Sequence, residues 1–459
     1  MAARNTLLRR RHPSYGEAVT DYAAVPLDSE STEFLAGSGL RLELIDNADD
    51  AAARSWLLAE TQGFHDSAPS DERIAALIAD LGDDRVTGVW DPSAAAPTSP
   101  VATVRTWVMD VTVPGGDVLP AWAISGVTVA PTHRRQGIAR ALLGAELRTA
   151  HRAGLSMAML TVSEATIYAR FGFAPSAYRA DYSIDVTRAR FTGPVPAGRT
   201  HLVDPATLCA EAPELFARAR RNSPGEVDRR DDLWRKILGL YPPEGDDTSK
   251  KLRAVRYDDE SGRLQGFAVY RFVHEGGGFP GRLELNDLVT ATDDASAALW
   301  RYLVEMDLIN EVRAPLRRTQ ELISWQVTDF RSVRKTQERD HLWLRILDLP
   351  VALQRRTYAA PGTFVLTVGD ALGFIDGDYL LTVRDGRGSA HPLAPEEAVP
   401  TDAARISLSA ADLAALYLGA TSAQALAQAG RITEGTTDAA ARLESTFHSA
   451  HTPWLSTWF

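Results

Sequence analysis

The stretch Val127-Thr128-Val129-Ala130-Pro131-Thr132-His133-Arg134-Arg135-Gln136-Gly137-Ile138-Ala139-Arg140 joins a β-branched strand to a helix through a basic turn. Beyond Gly137, Ala139, Leu142, Leu143, Leu147 and Ala150 share one helical face. The first N–H groups of such a helix lack internal partners, and the macrodipole favours an anion there. Gly137 permits close backbone approach, while Arg134, Arg135 and Arg140 add positive charge. Arginines at a helix start oppose the dipole, so the turn fits a bound pyrophosphate better than a bare helix cap. A Walker loop is excluded because no Gly-Lys-Ser/Thr ending follows, and a dinucleotide fingerprint because one glycine stands where three are needed. A second stretch, Thr161-Val162-Ser163-Glu164-Ala165-Thr166-Ile167-Tyr168-Ala169-Arg170-Phe171-Gly172-Phe173, runs from a strand into a short helix opened by Ser163 and Glu164. A third is the chain end, Thr452 to Phe459, which is aromatic to its last residue although chain ends are usually polar and frayed. It is expected to dock in apolar surroundings, either as simple packing or to deliver its α-carboxylate to a task.

The basic turn resembles the R/Q-x-x-G-x-G/A motif of the GNAT acetyltransferases, with Arg134, Gly137 and Ala139 in the fixed places. The resemblance implies acetyl-CoA as co-substrate. Val127, Thr128 and Val129 would form the splayed strand that bonds the pantetheine arm, and Arg135, Gln136, Gly137, Ile138, Ala139 and Arg140 would wrap the pyrophosphate. The Tyr-x-x-Phe-Gly-Phe run at Tyr168 is also common in these enzymes. Amine acetylation expels a thiolate, and a phenol with a pKa near ~10 can protonate it, which makes Tyr168 the candidate general acid. The plainer reading packs Tyr168 beside Phe171 and Phe173 with its hydroxyl on backbone.

Across roughly residues 41 to 459 the chain resembles the enhanced intracellular survival (Eis) acetyltransferases. That family joins a GNAT domain, a degenerate GNAT domain and a sterol-carrier-protein-like domain, and it places its terminal carboxylate in the GNAT cleft as general base. By this resemblance the base is Phe459, Tyr168 is the acid, Ser163 and Glu164 contact CoA, and Phe64 and Asp66 border the acceptor pocket. A bulky residue often precedes the splayed strand in relatives, whereas this chain has Gly126; its penultimate residue is Trp458 rather than an acid. The expected acceptors are amines of small polycations, aminoglycosides among them, or lysine side chains. The resemblance also implies a homohexamer and a mechanism without metal.

The elements that carry these residues alternate strand and helix, so the expected fold is α/β (α+β) on a mixed sheet. Residues 1–40 lack periodicity and read as a flexible or loosely docked arm. Residues 41–182 form the first block. Its strands are expected at Leu42 to Ile45, Val101 to Val113, Ala123 to Val129 and Met157 to Val162, with a helix around Ala53, Trp56, Leu57 and Glu60. Residues 183–349 repeat the order strand, strand, helix. After Leu283 to Thr290 the loop reads Ala291-Thr292-Asp293-Asp294, acidic and without glycine, so one CoA per chain is expected. Residues 350–459 carry strands at Thr363 to Val368 and Asp378 to Val383, then a helix opened by Ser409-Ala410-Ala411-Asp412.

The 459 residues exceed what one hydrophobic core supports, and 45% hydrophobic with 24% charged residues is ordinary for a globular protein. A net charge of −11 disfavours nucleic acid and attracts cations. No apolar run is long enough to cross a membrane. Met1 to His12 hold four arginines and no apolar h-region, which makes a cytoplasmic enzyme the expectation. The single cysteine, Cys209, lies outside any nucleophile motif, and His133, His448 and His451 lack metal-ligand spacing. The competing class is a lipid- or small-molecule-binding protein that uses the third block, with the first as scaffold. It requires a long apolar cavity between about Gly362 and Phe447.

Overall fold

In the computed structural model of the chain, residues 22, 25–241, 251–275 and 278–459 are described. The first block holds strands β1 (Arg41–Leu44), β2 (Arg85–Trp90), β3 (Ala102–Thr112), β4 (Val118–Val129), β5 (Met157–Thr161) and β6 (Ala174–Asp185). Its helices are α1 (Ser29–Ala36), α2 (Asp50–Gly63), α3 (Asp71–Leu81), α4 (Ile138–Arg152) and the single turn α5 (Ala165–Tyr168). The middle block adds β7 (Arg199–Val203), β8 (Leu252–Asp258), β9 (Leu264–Glu275), β10 (Gly278–Thr290), β11 (Ile309–Arg317) and β12 (Val333–Ile346), with α6 (Ala212–Ala219), α7 (Asp231–Ile237) and α8 (Asp293–Val304). The last block comprises α9 (Leu349–Arg355), β13 (Gly362–Gly369), β14 (Gly377–Arg384), β15 (Arg387–Pro392), β16 (Ala404–Ser409) and β17 (Ile432–Glu434), with α10 (Ala410–Tyr417), α11 (Ala423–Gln428) and α12 (Ala439–Phe447).

The first two blocks share one 12-stranded sheet, in the order β1-β2-β3-β4-β5-β12-β6-β11-β10-β9-β8-β7. The blocks exchange strands at the centre. β12 from the middle block lies between β5 and β6, and β6 from the first block pairs with β11. The border expected at 182/183 therefore falls inside β6, a strand with partners on both sides from the other block. Alternating polarity marks a strand but carries no label for its partner, so this exchange is invisible along the chain.

The centre of the sheet is buried on both faces. Ala121, Ala123, Met157 and Met159 join Leu344, Leu413 and Leu416 in a core shared with the last block. Trp122, Ala158 and Leu160 pack under α4 with Leu142, Leu143 and Leu147. Burial of each large side chain contributes roughly 1.5–3 kcal/mol, so the last block is fused to the sheet rather than tethered. Its five strands run β15-β14-β13-β16-β17, and the Ser409–Asp412 capping box forms as expected.

The region where a carrier cavity would be needed holds Phe364, Leu366, Leu381, Leu413, Leu443 and Phe447 in one contiguous cluster. Beside it lies fully buried Arg356, which donates to the carbonyls of Phe447 (2.7 Å) and Tyr417 at two helix ends. A buried guanidinium suits those carbonyl dipoles and suits an alkyl chain poorly.

The arm expected over residues 1–40 is corrected in part. Residues 1–21, 23 and 24 lie outside the described residues, but α1 is docked. Asp28 caps it through Ser31 N–H, and Leu35 and Leu40 are buried. Arg148 and Arg152 of α4 both donate to the Asp28 carboxylate. The helix escaped the sequence reading because a single apolar turn is too short to show periodicity.

Candidate active site

Strands β4 and β5 part company. β4 follows β3 along its whole length, from Thr112↔Val118 to Ala102↔Val129. It pairs with β5 only at Trp122↔Ala158 and Ala123↔Met159, after which β5 continues along β12. From Ile124 to Val129 the β5 side of β4 therefore has no strand partner. A bulge widens the opening: Arg105 faces Ser125 and Thr103 faces Thr128, leaving Gly126 and Val127 opposite Val104. Gly126 has φ +61°, and its carbonyl accepts from the Thr103 hydroxyl at 2.7 Å. Val127, Thr128 and Val129 thus line a free backbone edge, able to bond an extended ligand.

Past Val129 a 3-10 turn (Pro131–His133) leads to Arg135 at φ +66° and Gly137 at φ +82°. α4 starts with no side-chain cap. The N–H groups of Ile138, Ala139 and Arg140 find no acceptor among the described residues. Arg134, Arg135, Gln136 and Arg140 are exposed, and no ion pair engages the three arginines among the described residues. Ile138 is buried and Ala139 half-buried. Uncapped donors beside unpaired guanidinium groups fit a diphosphate. The counterpart in the middle block does not: Thr292 caps α8 through Ala295 N–H, and Asp293 and Asp294 fill its first turn.

β5 ends at Thr161, followed by exposed Ser163 and Glu164, the latter at the start of α5. Tyr168 is 6% exposed, with the Phe173 ring edge-on at 6.2 Å. Its hydroxyl makes no hydrogen bond among the described residues, so the backbone-bonded alternative does not occur. Burial, then the nearby Glu164, pushes the phenol up to about 12. The hydroxyl of Thr161 donates to the terminal oxygen of Phe459 at 3.0 Å. The Phe459 ring stands edge-on to Trp107 of β3 at 6.1 Å. Tyr168 belongs to the core under α4 and Phe459 to the core on the other face, so they approach the open strands from opposite sides.

The tail is strapped down. Trp454 bonds Pro224 and Leu316 carbonyls through its N–H and indole, and Arg229 donates to the Ser456 hydroxyl at 2.7 Å. His341, fully buried on β12, is 2.7 Å from the Thr457 carbonyl. A carbonyl only accepts, so Nε2 carries the proton. Burial pushes this imidazole down to about 4, which keeps it neutral at physiological pH.

α2 closes the Phe459 side. A Cβ on Gly63 would lie 2.5 Å from the Thr128 side chain, so the glycine lets the helix end touch the open strand. Phe64 and Asp66 follow, both exposed. Sequence reasoning missed the neighbours. The guanidinium groups of Arg105 and Arg230 each lie 5.4 Å from the Trp107 ring. Glu60 sits over Gly126, signalled only by an acid at an apolar helical position, four residues from buried Trp56. Thr161 and His341 had no local signal, because their partner lies far along the chain.

Residues 45–176 and 225–346 each match a family described as an acetyltransferase (GNAT) domain, and residues 349–456 match a sterol carrier protein domain. An uncharacterized N-acetyltransferase of Streptomyces avermitilis is 34% identical over 418 residues, 89% of this chain and 97% of the relative. The N-acetyltransferase Eis of Mycobacterium bovis is 34% identical over 370 residues, 77% of this chain and 85% of the relative. The crystal structure of Eis1 from Mycobacterium abscessus superposes with a TM-score of 0.75 at 25% identity, covering 92% of this chain and all of the other.

Proposed function

Because this chain belongs to the Eis family of GNAT N-acetyltransferases, we propose that it acetylates amines of small polycations or lysine side chains, with Tyr168 as general acid and the Phe459 carboxylate as general base. GNAT domains use acetyl-CoA, which supplies the acetyl thioester. In this reading Arg134, Arg135 and Arg140, with the N–H groups of Ile138 to Arg140, hold the diphosphate. The free edge Val127 to Val129 orients the pantetheine arm, and Ser163 and Glu164 border it. One acetyl-CoA binds per chain, since Asp293 and Asp294 repel an anion at α8.

The Phe459 carboxylate takes a proton from the acceptor ammonium, and the freed amine attacks the thioester carbonyl. As the tetrahedral intermediate collapses, the Tyr168 hydroxyl donates to the departing sulfur, and the second proton shed by the new amide nitrogen restores the phenol. A phenol shifted upward stays protonated at neutral pH and so remains a donor. Phe64 and Asp66 border the acceptor. The active assembly is a homohexamer, and aminoglycosides are within the acceptor range.

The observation that carries this reading is the hydrogen bond from Thr161, on the strand leading to Tyr168, to the terminal oxygen of Phe459. The test is CoA release with a panel of spermidine, an aminoglycoside and a lysine peptide. Tyr168→Ala and removal of Phe459 should each lower the rate about 100-fold. Unchanged rates in both would contradict the chemistry.

A further inference from the structure

Glu60 stands apart from the other carboxylates on this face of the sheet. Asp84 is held by Arg105 and Arg230, and Asp80 by Arg235 and Tyr241. Asp232 is held by Lys236. The Glu60 carboxylate makes no hydrogen bond or ion pair among the described residues. It is half-buried in the last turns of α2, against the bulge of β4. A Cβ at Gly126 would lie 2.5 Å from Glu60 Oε1 and 3.1 Å from Trp56, so any larger residue there would evict the carboxylate. The absent side chain at 126 and the acid at 60 form one arrangement: the room beside the open strand is taken by a carboxyl group.

The groups whose charge reaches Glu60 are Arg105 on β3, Lys236 on α7 and Asp66 beyond the end of its own helix. Both cations are committed elsewhere, Arg105 to Asp84 at 2.6 Å and Lys236 to Asp232 at 3.2 Å. Asp66 adds negative charge. A half-buried carboxylate without a partner is costly, and a ligand cation relieves that cost. Arg105 also stacks on Trp107, the ring that meets Phe459, which sets Glu60 on the same face of the sheet as the chain end.

We infer that Glu60, in the room left by Gly126, is a specificity-determining residue that binds a second ammonium group of the acceptor, so that aliphatic polycations are preferred over monoamines. The inference rests on the proposed acetyl transfer only for the side of the sheet from which the acceptor enters. Burial first, and Asp66 in addition, push the Glu60 carboxyl up to about 7. Its cation site therefore charges as pH rises through neutrality, while aliphatic amines remain protonated.

The test is calorimetric binding of spermidine and butylamine to the full chain saturated with CoA, near pH 6 and near pH 8. At the higher pH, Glu60→Gln should lower the preference for spermidine over butylamine by about tenfold or more. The wild-type protein should bind spermidine more tightly at the higher pH, and this gain should vanish in Glu60→Gln. Glu60→Asp, with a shorter charged side chain, should retain part of the preference, and CoA affinity in each variant reports that the fold is intact. Equal spermidine affinity in wild type and Glu60→Gln would overturn the inference, as would no spermidine binding by the wild type. Tyr168→Phe separates the two readings: lost transfer with wild-type spermidine affinity supports the acid role and leaves the Glu60 site standing.

Discussion

Tyr168 differs from most of the other buried tyrosines in what its hydroxyl does. Tyr182 bonds the Arg318 and Thr319 carbonyls, Tyr358 that of Leu353 and Tyr417 that of Ala352. Tyr168 bonds nothing among the described residues, so its hydroxyl contributes no such link to the fold. Tyr168→Phe should therefore leave thermal stability unchanged while turnover falls about 100-fold. Tyr417→Phe should cost about 1 kcal/mol of stability by orphaning a buried carbonyl bond. Parallel melting curves and steady-state rates check both. The Tyr-x-x-Phe-Gly-Phe run marked Tyr168 as a candidate from its neighbours alone. Glu60 gave no such signal, because its setting depends on Gly126 of β4, 66 positions away.

α1 shows how an element can hold α4 in place from outside the sheet. Asp28 caps α1 and receives Arg148 and Arg152, and its buried partner Ser31 donates to the Ala141 carbonyl inside α4. Burial alone would raise the Asp28 carboxyl, but hydrogen bonds from Arg148 and Arg152 hold it well below the usual carboxylate range. Its stabilisation is complete at neutral pH and is lost as pH falls below about 4, through the depressed folded value. Asp28→Ala should cost about 2–3 kcal/mol near pH 7, and the difference from wild type should shrink in more acidic solution. Chemical denaturation across pH measures this. Among the longer elements, α4 and β3 to β5 were readable from periodicity and turn residues. The insertion of β12 between β5 and β6 was not, since nothing in β12 names its neighbours.

The three blocks converge on one cleft. The first supplies the open strand and Tyr168, and the middle block holds the tail through Arg229, Glu226 and His341. The last block supplies the tail itself, which explains why its core merges with the sheet. The aromatic chain end was readable as a docked segment, but its anchors come from residues more than 100 positions away and left no pattern beside it. Under this account, catalysis depends on where one carboxylate ends. Appending a single glycine after Phe459 keeps the aromatic ring and its packing but displaces that charge by one residue. Measured by acetyl transfer to spermidine alongside acetyl-CoA affinity, the extended chain should lose about 100-fold or more in kcat. Its affinity for acetyl-CoA should stay within about twofold of wild type. Full turnover by the extended chain would contradict the account.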